Sequence, residues 1–377
     1  MDFHLRLVSP DFDSRLTDTL IELNHLRRLR LDGTTAPWMF FQLKSIFHML
    51  ESIGSARIEG NRTTISEYIE QKIDNTERAS ERFSEIANLE EAMNFIEAHM
   101  SPGTDVTHAF VRQLHQLVVG DLTREGDKTP GAYRTWDVAI SGSDHVPPEH
   151  FKVRGYMDEL LAFINQPRAD KYDLLKTAIA HHRMAWIHPF GNGNGRTVRL
   201  LTYALMIKYG FNVKDGKILN PTAVFCNDRD VYYRKLAAAD TGDDDALLGW
   251  CDYVLTGILE EVEKINQLLD FDFLHEKILN PTLSLAIDRG YINRDEARVL
   301  RVGIRQQHFR AGDLDKALDE ITPRQRTHLI HKMKTANFIR PLKENGRTYC
   351  VSFENNFLMR CLMQVLEHTG FVPPLDK

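Results

Sequence analysis

The residues best suited to chemistry are gathered in one stretch, His188-Pro189-Phe190-Gly191-Asn192-Gly193-Asn194-Gly195-Arg196-Thr197-Val198-Arg199. Glycines at alternate positions (Gly191, Gly193, Gly195) give a backbone free to take positive φ and to approach a ligand closely, the outline of an anion cradle. Arg196 and Arg199 stand at i, i+3, a spacing that puts two guanidinium groups on one helix face, ready to clamp a di- or triphosphate. His188 adds a titratable group at the rim, suited to take a proton from an incoming hydroxyl. No strand precedes the loop and no Lys-Ser/Thr closes it, so it is not a Walker A loop. The plain alternative is a Gly-rich helix–helix turn with a capping histidine. A histidine, three glycines, two asparagines and two phased arginines together favour a phosphate site.

The flanking sequence supplies the elements that must hold this loop. Leu174, Leu175, Ala178, Ile179, His182, Ala185 and Trp186 recur at helical spacing, and Pro189 ends the run. Val198, Leu201, Tyr203, Leu205 and Met206 begin a second helix that Gly210 stops. The loop therefore sits at a helix N-terminus, where free N–H groups and the macrodipole favour an anion. Two arginines in that first turn are unfavourable beside a positive dipole end unless something anionic lies between them.

With these residues in view, the stretch resembles the Fic motif, His-Pro-Phe-x-(Asp/Glu/Asn)-Gly-Asn-Gly-Arg-x-x-Arg, of the Fic family of AMP-transferring enzymes. The resemblance implies His188 as general base. It assigns Gly191, Asn192, Gly193, Asn194, Gly195, Arg196 and Arg199 to ATP, and Asn192 to Mg²⁺. Asn192 stands where the commonest form has Asp or Glu; an amide oxygen can coordinate a hard cation but brings no charge. Upstream, Ser55-x-x-x-Glu59-Gly60 is similar to the family's inhibitory motif, (Ser/Thr)-x-x-x-Glu-(Gly/Asn). Read alone, Glu59 is a solvated charge near a helix end that Gly60 stops. The resemblance implies instead that its carboxylate pairs with Arg199 in place of the γ-phosphate, and it counts Ser55 with Glu59 as regulatory.

Val138-Ala139-Ile140, a Gly/Ser/Asp turn and His145-Val146 followed by paired prolines predict a β-hairpin. It is either a surface decoration or, as the resemblance implies, the flap that holds a target segment by strand addition. Tyr232 and Tyr233 read as core aromatics; the resemblance makes either a candidate for stacking on adenine.

The chain has 377 residues, 42% of them hydrophobic, enough for two or three soluble domains. No apolar run approaches the roughly 20 residues of a membrane span, and Met1-Asp2-Phe3-His4 lacks a signal-peptide pattern, so a cytoplasmic protein without membrane contact is expected. Cys226, Cys251, Cys350 and Cys361 are too dispersed for a disulfide framework or a zinc site. Helices are expected over Asp18 to Arg30, Phe40 to Ile53, Asp105 to Asp121 and Val254 to Leu269.

Net charge is −6, yet residues 288–347 hold fourteen Lys/Arg against eight Asp/Glu, so this segment is +6 and the rest −12. Helical patterns at Asp295 to Gln306, Asp313 to Glu320 and Thr322 to Ala336 precede Phe338-Ile339-Arg340-Pro341-Leu342, an Asn345-Gly346 turn and Tyr349-Cys350-Val351. This order predicts a winged helix-turn-helix, open to a DNA or a protein partner.

The expected fold is mainly α: an N-terminal helical region over 1–104, a Fic-type helical core with its β-hairpin flap over 105–270, and a winged helix over 285–360. The expected function is transfer of AMP from ATP to a Ser, Thr or Tyr hydroxyl of a protein, self-modification included, under restraint by Glu59. Other chemistry on the same site (AMP removal, UMP transfer), or DNA-binding regulation through the C-terminal part, stands as the alternative. The Gly195-Arg196 pair argues against the phosphate-transferring Doc type.

Overall fold

The computed structural model describes residues 3–28, 34–74, 80–211 and 221–371. Its helices are α1 (Arg15–Arg28), α2 (Pro37–Ile58), α3 (Ile65–Asp74), α4 (Glu81–His99), α5 (His108–Val119), α6 (His150–Asn165), α7 (Asp173–Ile187) and α8 (Asn194–Lys208). There follow α9 (Pro221–Asn227), α10 (Arg229–Ala238), α11 (Asp244–Asn266), α12 (Phe271–Phe273), α13 (Asn280–Asp288), α14 (Arg294–Arg305), α15 (Pro323–Thr335) and α16 (Asn356–His368). The strands, β1 (Phe309–Arg310), β2 (Ile339–Pro341) and β3 (Thr348–Val351), form one antiparallel sheet in the order β1-β3-β2. The fold is mainly α, as expected. Leu29 and Arg30, the expected end of the first helix, lie outside the described residues. No helix among the described residues is long and apolar enough to cross a membrane.

Two compact units are drawn from the chain: one from Met1–Leu31, His48–Thr63 and Glu77–Glu263, the other from Asp32–Phe47, Thr64–Thr76 and Lys264–Lys377. In the first, α7 and α8 pack on each other, with α4, α5 and α6 around them. From Arg196 to Lys208 every residue of α8 is buried, and α7 is buried from Leu174 to Met184. A helix buried on all sides belongs at the centre of its unit. The loop between these two helices is therefore held from both ends by the best-packed part of the unit.

In the second unit the expected helix over Asp313 to Glu320 is instead a 3₁₀ turn, Ala311–Leu314, continuing in turns. Short-range bonds from Asp315 N to Gly312 O (3.2 Å) and Ala317 N to Leu314 O (3.1 Å) stand beside a lone helical bond, Leu318 N to Leu314 O (2.9 Å), in place of a continuous ladder. Two of its acids serve elsewhere: Asp313 accepts from Arg310 N, and Asp315 pairs with Arg326. The expected helix ending at Leu269 begins earlier, at Asp244, after Asp243 caps Ala246 N (2.9 Å), and closes in a 3₁₀ turn, Gln267–Leu269.

The predicted hairpin at 138–146 forms its turn but not its ladder: strands among the described residues occur only within 309–351. Side chains anchor this segment in place of strand pairing. Arg134 donates through Nη1 to Trp136 O (3.1 Å) and through Nη2 to Pro148 O (2.6 Å), and His145 Nε2 donates to Trp186 O (2.8 Å).

Candidate active site

His188 is the C-cap of α7 and takes a left-handed conformation, φ 49° and ψ 61°, with its N–H bonded to Met184 O (3.1 Å). Such a backbone costs a β-carbon-bearing residue about 1–2 kcal/mol and persists only where its surroundings impose it. Buried Arg134 does so, donating through Nε to His188 O (2.8 Å) and through Nη2 to Ile187 O (3.3 Å), while its own N–H reaches Pro189 O (2.9 Å). Burial pulls the His188 imidazole down to about 4, so it is neutral at pH 7 and able to accept a proton.

The remainder of the loop is braced from beneath. Asn194 brackets Phe190, its Oδ1 accepting from Phe190 N and its Nδ2 donating to Phe190 O, both at 2.9 Å. His115 stacks on the Phe190 ring at 3.7 Å, accepts Gly131 N–H on Nδ1 (3.0 Å) and donates from Nε2 to Asn192 O (3.0 Å). Asn192 N donates to the Asp127 carboxylate (2.9 Å), and Asn192 Nδ2 to Gly126 O (3.1 Å). Gly193, the N-cap of α8, has φ 71°, and a β-carbon there would collide with Val119. Gly191 and Gly195 take no positive φ; they are small to leave room for neighbours.

The two arginines do not form the expected shared clamp. Arg196 is buried and turned to α4, donating to Glu85 Oε1 (2.8 Å) and to Glu125 O (3.0 Å). The reason lies in Glu85: burial raises its carboxyl pKa against the opposing pull of Arg196, so the guanidinium is the partner this desolvated acid needs. Arg199 instead faces the end of α2. Its Nε donates to Ser55 Oγ (2.9 Å) and its Nη2 to Ser55 O (2.9 Å) and Glu59 Oε1 (2.7 Å).

Glu59 is aimed by the way α2 stops. Asn61 N bonds to Ala56 O (3.1 Å) and Gly60 N to Arg57 O (2.9 Å), with Gly60 at φ 99°, a Schellman closure that leaves Glu59 as the C-cap residue. A β-carbon on Gly195 would collide with Glu59 Oε1, so the carboxylate lies against the first turn of α8 as well as on Arg199. Burial would raise the Glu59 carboxyl, but the charge and hydrogen bond of Arg199 hold it below the usual range. The anion seat of the loop thus contains the chain's own carboxylate.

Tyr232 is buried, its hydroxyl 3.0 Å from His181 Nε2 and its ring among Phe225 and Trp250. Tyr233 is exposed, with Arg229 over its ring at 5.4 Å. In the segment 138–146, Val138 and Ile140 are half-buried, Ala139 is exposed, and His145 is tied to the last turn of α7. Asp240 accepts from His182 Nε2 (2.9 Å) and lies 3.6 Å from His145 Nδ1. Sequence reasoning missed Arg134, His115, Asp127 and Glu85. Their one shared signal is that each is a polar side chain beside a glycine-rich or apolar run, which many surface residues also show.

Residues 105–206 match the model of the Fic/DOC family. Protein adenylyltransferase Fic of Drosophila grimshawi is 28% identical over 244 residues, covering 63% of this chain and 45% of that protein. The protein of the same name from Aedes aegypti is 29% identical over 204 residues, 52% of this chain and 38% of that one. The chain thus spans less than half the length of these curated relatives. A Fic family protein of Desulfovibrio desulfuricans G20 has the same fold, with a TM-score of 0.56 at 17% identity over 93% of this chain and 98% of that one. Fic-1 of C. elegans gives 0.54 at 19% identity over 66% and 71%. The stretch that matches the Fic/DOC family model contains the helix pair and the glycine loop that joins it.

Proposed function

We propose that the chain transfers AMP from ATP to a Ser, Thr or Tyr hydroxyl of a protein target, and that Glu59 restrains this transfer. One observation carries the reading: a carboxylate occupies the anion seat formed by the N-terminus of α8 and Arg199. A γ-phosphate offers the same charge to the same groups. The target hydroxyl loses its proton to neutral His188, its oxygen bonds to the α-phosphorus, and the bond from that phosphorus to the bridging oxygen breaks to release pyrophosphate. The N–H groups at positions 194–196 open α8 and suit the α- and β-phosphates, whereas the Arg196 guanidinium stays with Glu85. Exposed Tyr233 is the one of the two tyrosines suited to stack on the base.

The amide oxygen of Asn192 fits Mg²⁺ as a neutral oxygen ligand and is the side chain that would hold it. Asn192 Oδ1, the side-chain oxygen at the loop, already accepts Gly193 N–H at 2.7 Å and keeps a second lone pair. Bound there, the ion would neutralise phosphate charge. Residues 285–360 fit a winged helix: α14, β1, the 3₁₀ turn, α15 and the β2-β3 hairpin follow in that order.

Incubation with ATP labelled at the α-phosphate, followed by mapping of the labelled residue, tests the transfer. Label is expected from Glu59→Gly and absent when His188→Ala is added. Label arriving from the γ-phosphate, or a preference for UTP, would replace AMP transfer by another chemistry on the same site.

A further inference from the structure

The basic excess of residues 288–347 is not spread over that segment. Residues 288–322 hold seven Lys/Arg and seven Asp/Glu, whereas 323–347 hold seven Lys/Arg and one acid, Glu344. All of the +6 therefore falls on α15 and the hairpin that follows it. Within α15, which has no acidic residue, the two sides differ. Ile330 and Met333 are buried, and the cations on or near that side are neutralised: Arg326 pairs with Asp315, and Lys332 with Glu296 at 2.8 Å. The outward stripe, Arg324, Thr327, His328, His331 and Lys334, recurs at i, i+3, i+4, i+7 and i+10 and is exposed throughout. Arg324 and Lys334 have no ion-pair partner among the described residues.

Both ends of this arrangement are rigidly built. Thr322 and Gln325 form a reciprocal capping box at the start of α15, and Asn355 Nδ2 holds Ala336 O beyond its end (2.8 Å). The hairpin is closed by Leu342 N to Thr348 O (3.0 Å) and Gly346 N to Lys343 O (2.8 Å), with Asn345 at φ 57°. Lys343 and Arg347 are exposed there, again without an ion-pair partner among the described residues.

We propose that α15 and the β2-β3 hairpin form an interface for duplex DNA, with the Arg324 to Lys334 stripe entering the major groove and Lys343 and Arg347 resting on phosphates. A capped helix bearing donor side chains and no carboxylate suits a groove walled by phosphates, and unpaired cations at the hairpin suit a backbone contact. This interface goes beyond the AMP-transfer reading and does not depend on it.

The test is anisotropy of a fluorescein-labelled 24-base-pair duplex of mixed sequence, titrated with the full chain from 50 to 200 mM KCl. If four cations meet phosphates, log K should fall against log salt with a slope of about −4. Arg324→Ala/Lys334→Ala and Lys343→Ala/Arg347→Ala should each weaken binding at least about tenfold and flatten the slope by about two. Arg168→Ala/Lys171→Ala, an exposed pair in the other unit, should leave it unchanged. All six positions are exposed, so melting temperatures should match wild type. Binding equal in wild type and both interface variants would overturn the proposal. So would no salt-dependent binding, tighter binding to single-stranded RNA of equal length, or displacement by polyglutamate at equal charge; the last outcome would point to an acidic protein partner.

Discussion

Glu59 Oε1 lies 2.7 Å from Arg199 Nη2 and against the α-carbon of Gly195, so one carboxylate engages both halves of an anion seat. In the proposed transfer Arg199 would serve either this carboxylate or the γ-phosphate, and the two would compete. Glu59→Gly should raise AMP transfer, including self-modification, by at least about tenfold. Losing a charge-assisted, half-buried hydrogen bond changes such a competition by about 1.5–3 kcal/mol. Arg199→Ala should not mimic it, because the phosphate loses its partner too. Equal initial rates for wild type and Glu59→Gly at saturating ATP and Mg²⁺ would make Glu59 a structural cap only.

His188→Ala should abolish transfer while leaving ATP binding within about threefold, since in the proposed transfer the imidazole would take the proton and need not hold the triphosphate. The acid limb of kcat/KM is the sharper check. Burial pulls His188 down to about 4, so its neutral form persists well below pH 6. Glu59 raises this imidazole, and removing it in Glu59→Gly should not move the limb upward. For that variant kcat/KM should stay flat from pH 7 to about 5.5. A limb centred near 6.5 would mean an ordinary solvated histidine.

The loop and its two helices are legible in the sequence because each rests on local spacing, whereas the Glu59 to Arg199 pairing, 140 positions apart, followed only from the motif resemblance. Periodic apolar residues, a proline stop and a glycine stop fix the ends of α7, α8 and α2 within a turn. Arg196 shows where spacing fails. Positions i and i+3 share a face, but which carboxylate claims the guanidinium depends on Glu85, 111 positions away in the chain. The hairpin at 138–146 failed for a related reason: β-branched residues and a turn predict pairing, while the bonds that anchor the segment run from Arg134 to Trp136 O and Pro148 O and from His145 to Trp186 O, none of them part of a ladder. Asp313 and Asp315 likewise broke a helical pattern through contacts with Arg310 and Arg326.

Asn192→Asp should lower the Mg²⁺ concentration needed for half-maximal activity, because a carboxylate adds charge to a ligand that is now neutral. It should also cost stability. Asn192 Nδ2 donates to Gly126 O, and a carboxylate there would face that carbonyl and stand near buried Asp127. A loss of about 1–3 kcal/mol in urea unfolding is expected from the unsatisfied carbonyl. A magnesium titration identical to wild type would remove Asn192 from the metal site.

Acid should weaken the floor beneath the loop. His115 must be neutral to work as it does: Nδ1 accepts Gly131 N–H and Nε2 donates to Asn192 O, so a second proton breaks the bond to Gly131. Burial lowers its pKa to about 4, and burial, with Arg199 nearby, lowers buried His181 well below the ordinary value. A histidine depressed in the folded state binds more protons when unfolded, so between pH 6.5 and about 4 stability rises with pH and falls on acidification. The slope is about 1.4 kcal/mol per pH unit for each such group once the pH is below the unfolded pKa. Carboxylates such as Glu59, whose pKa is lowered, add their own loss only as the pH falls below the ordinary carboxylate range, whereas Glu85 and Asp173, raised by burial, gain their proton first in the folded state and offset part of the histidine loss. Urea midpoints at pH 7, 6 and 5 should decline across that window, and His115→Asn, which cannot take up the proton, should show a shallower decline from a lower starting stability. Parallel declines in wild type and His115→Asn would mean that His115 is not titrating against folding.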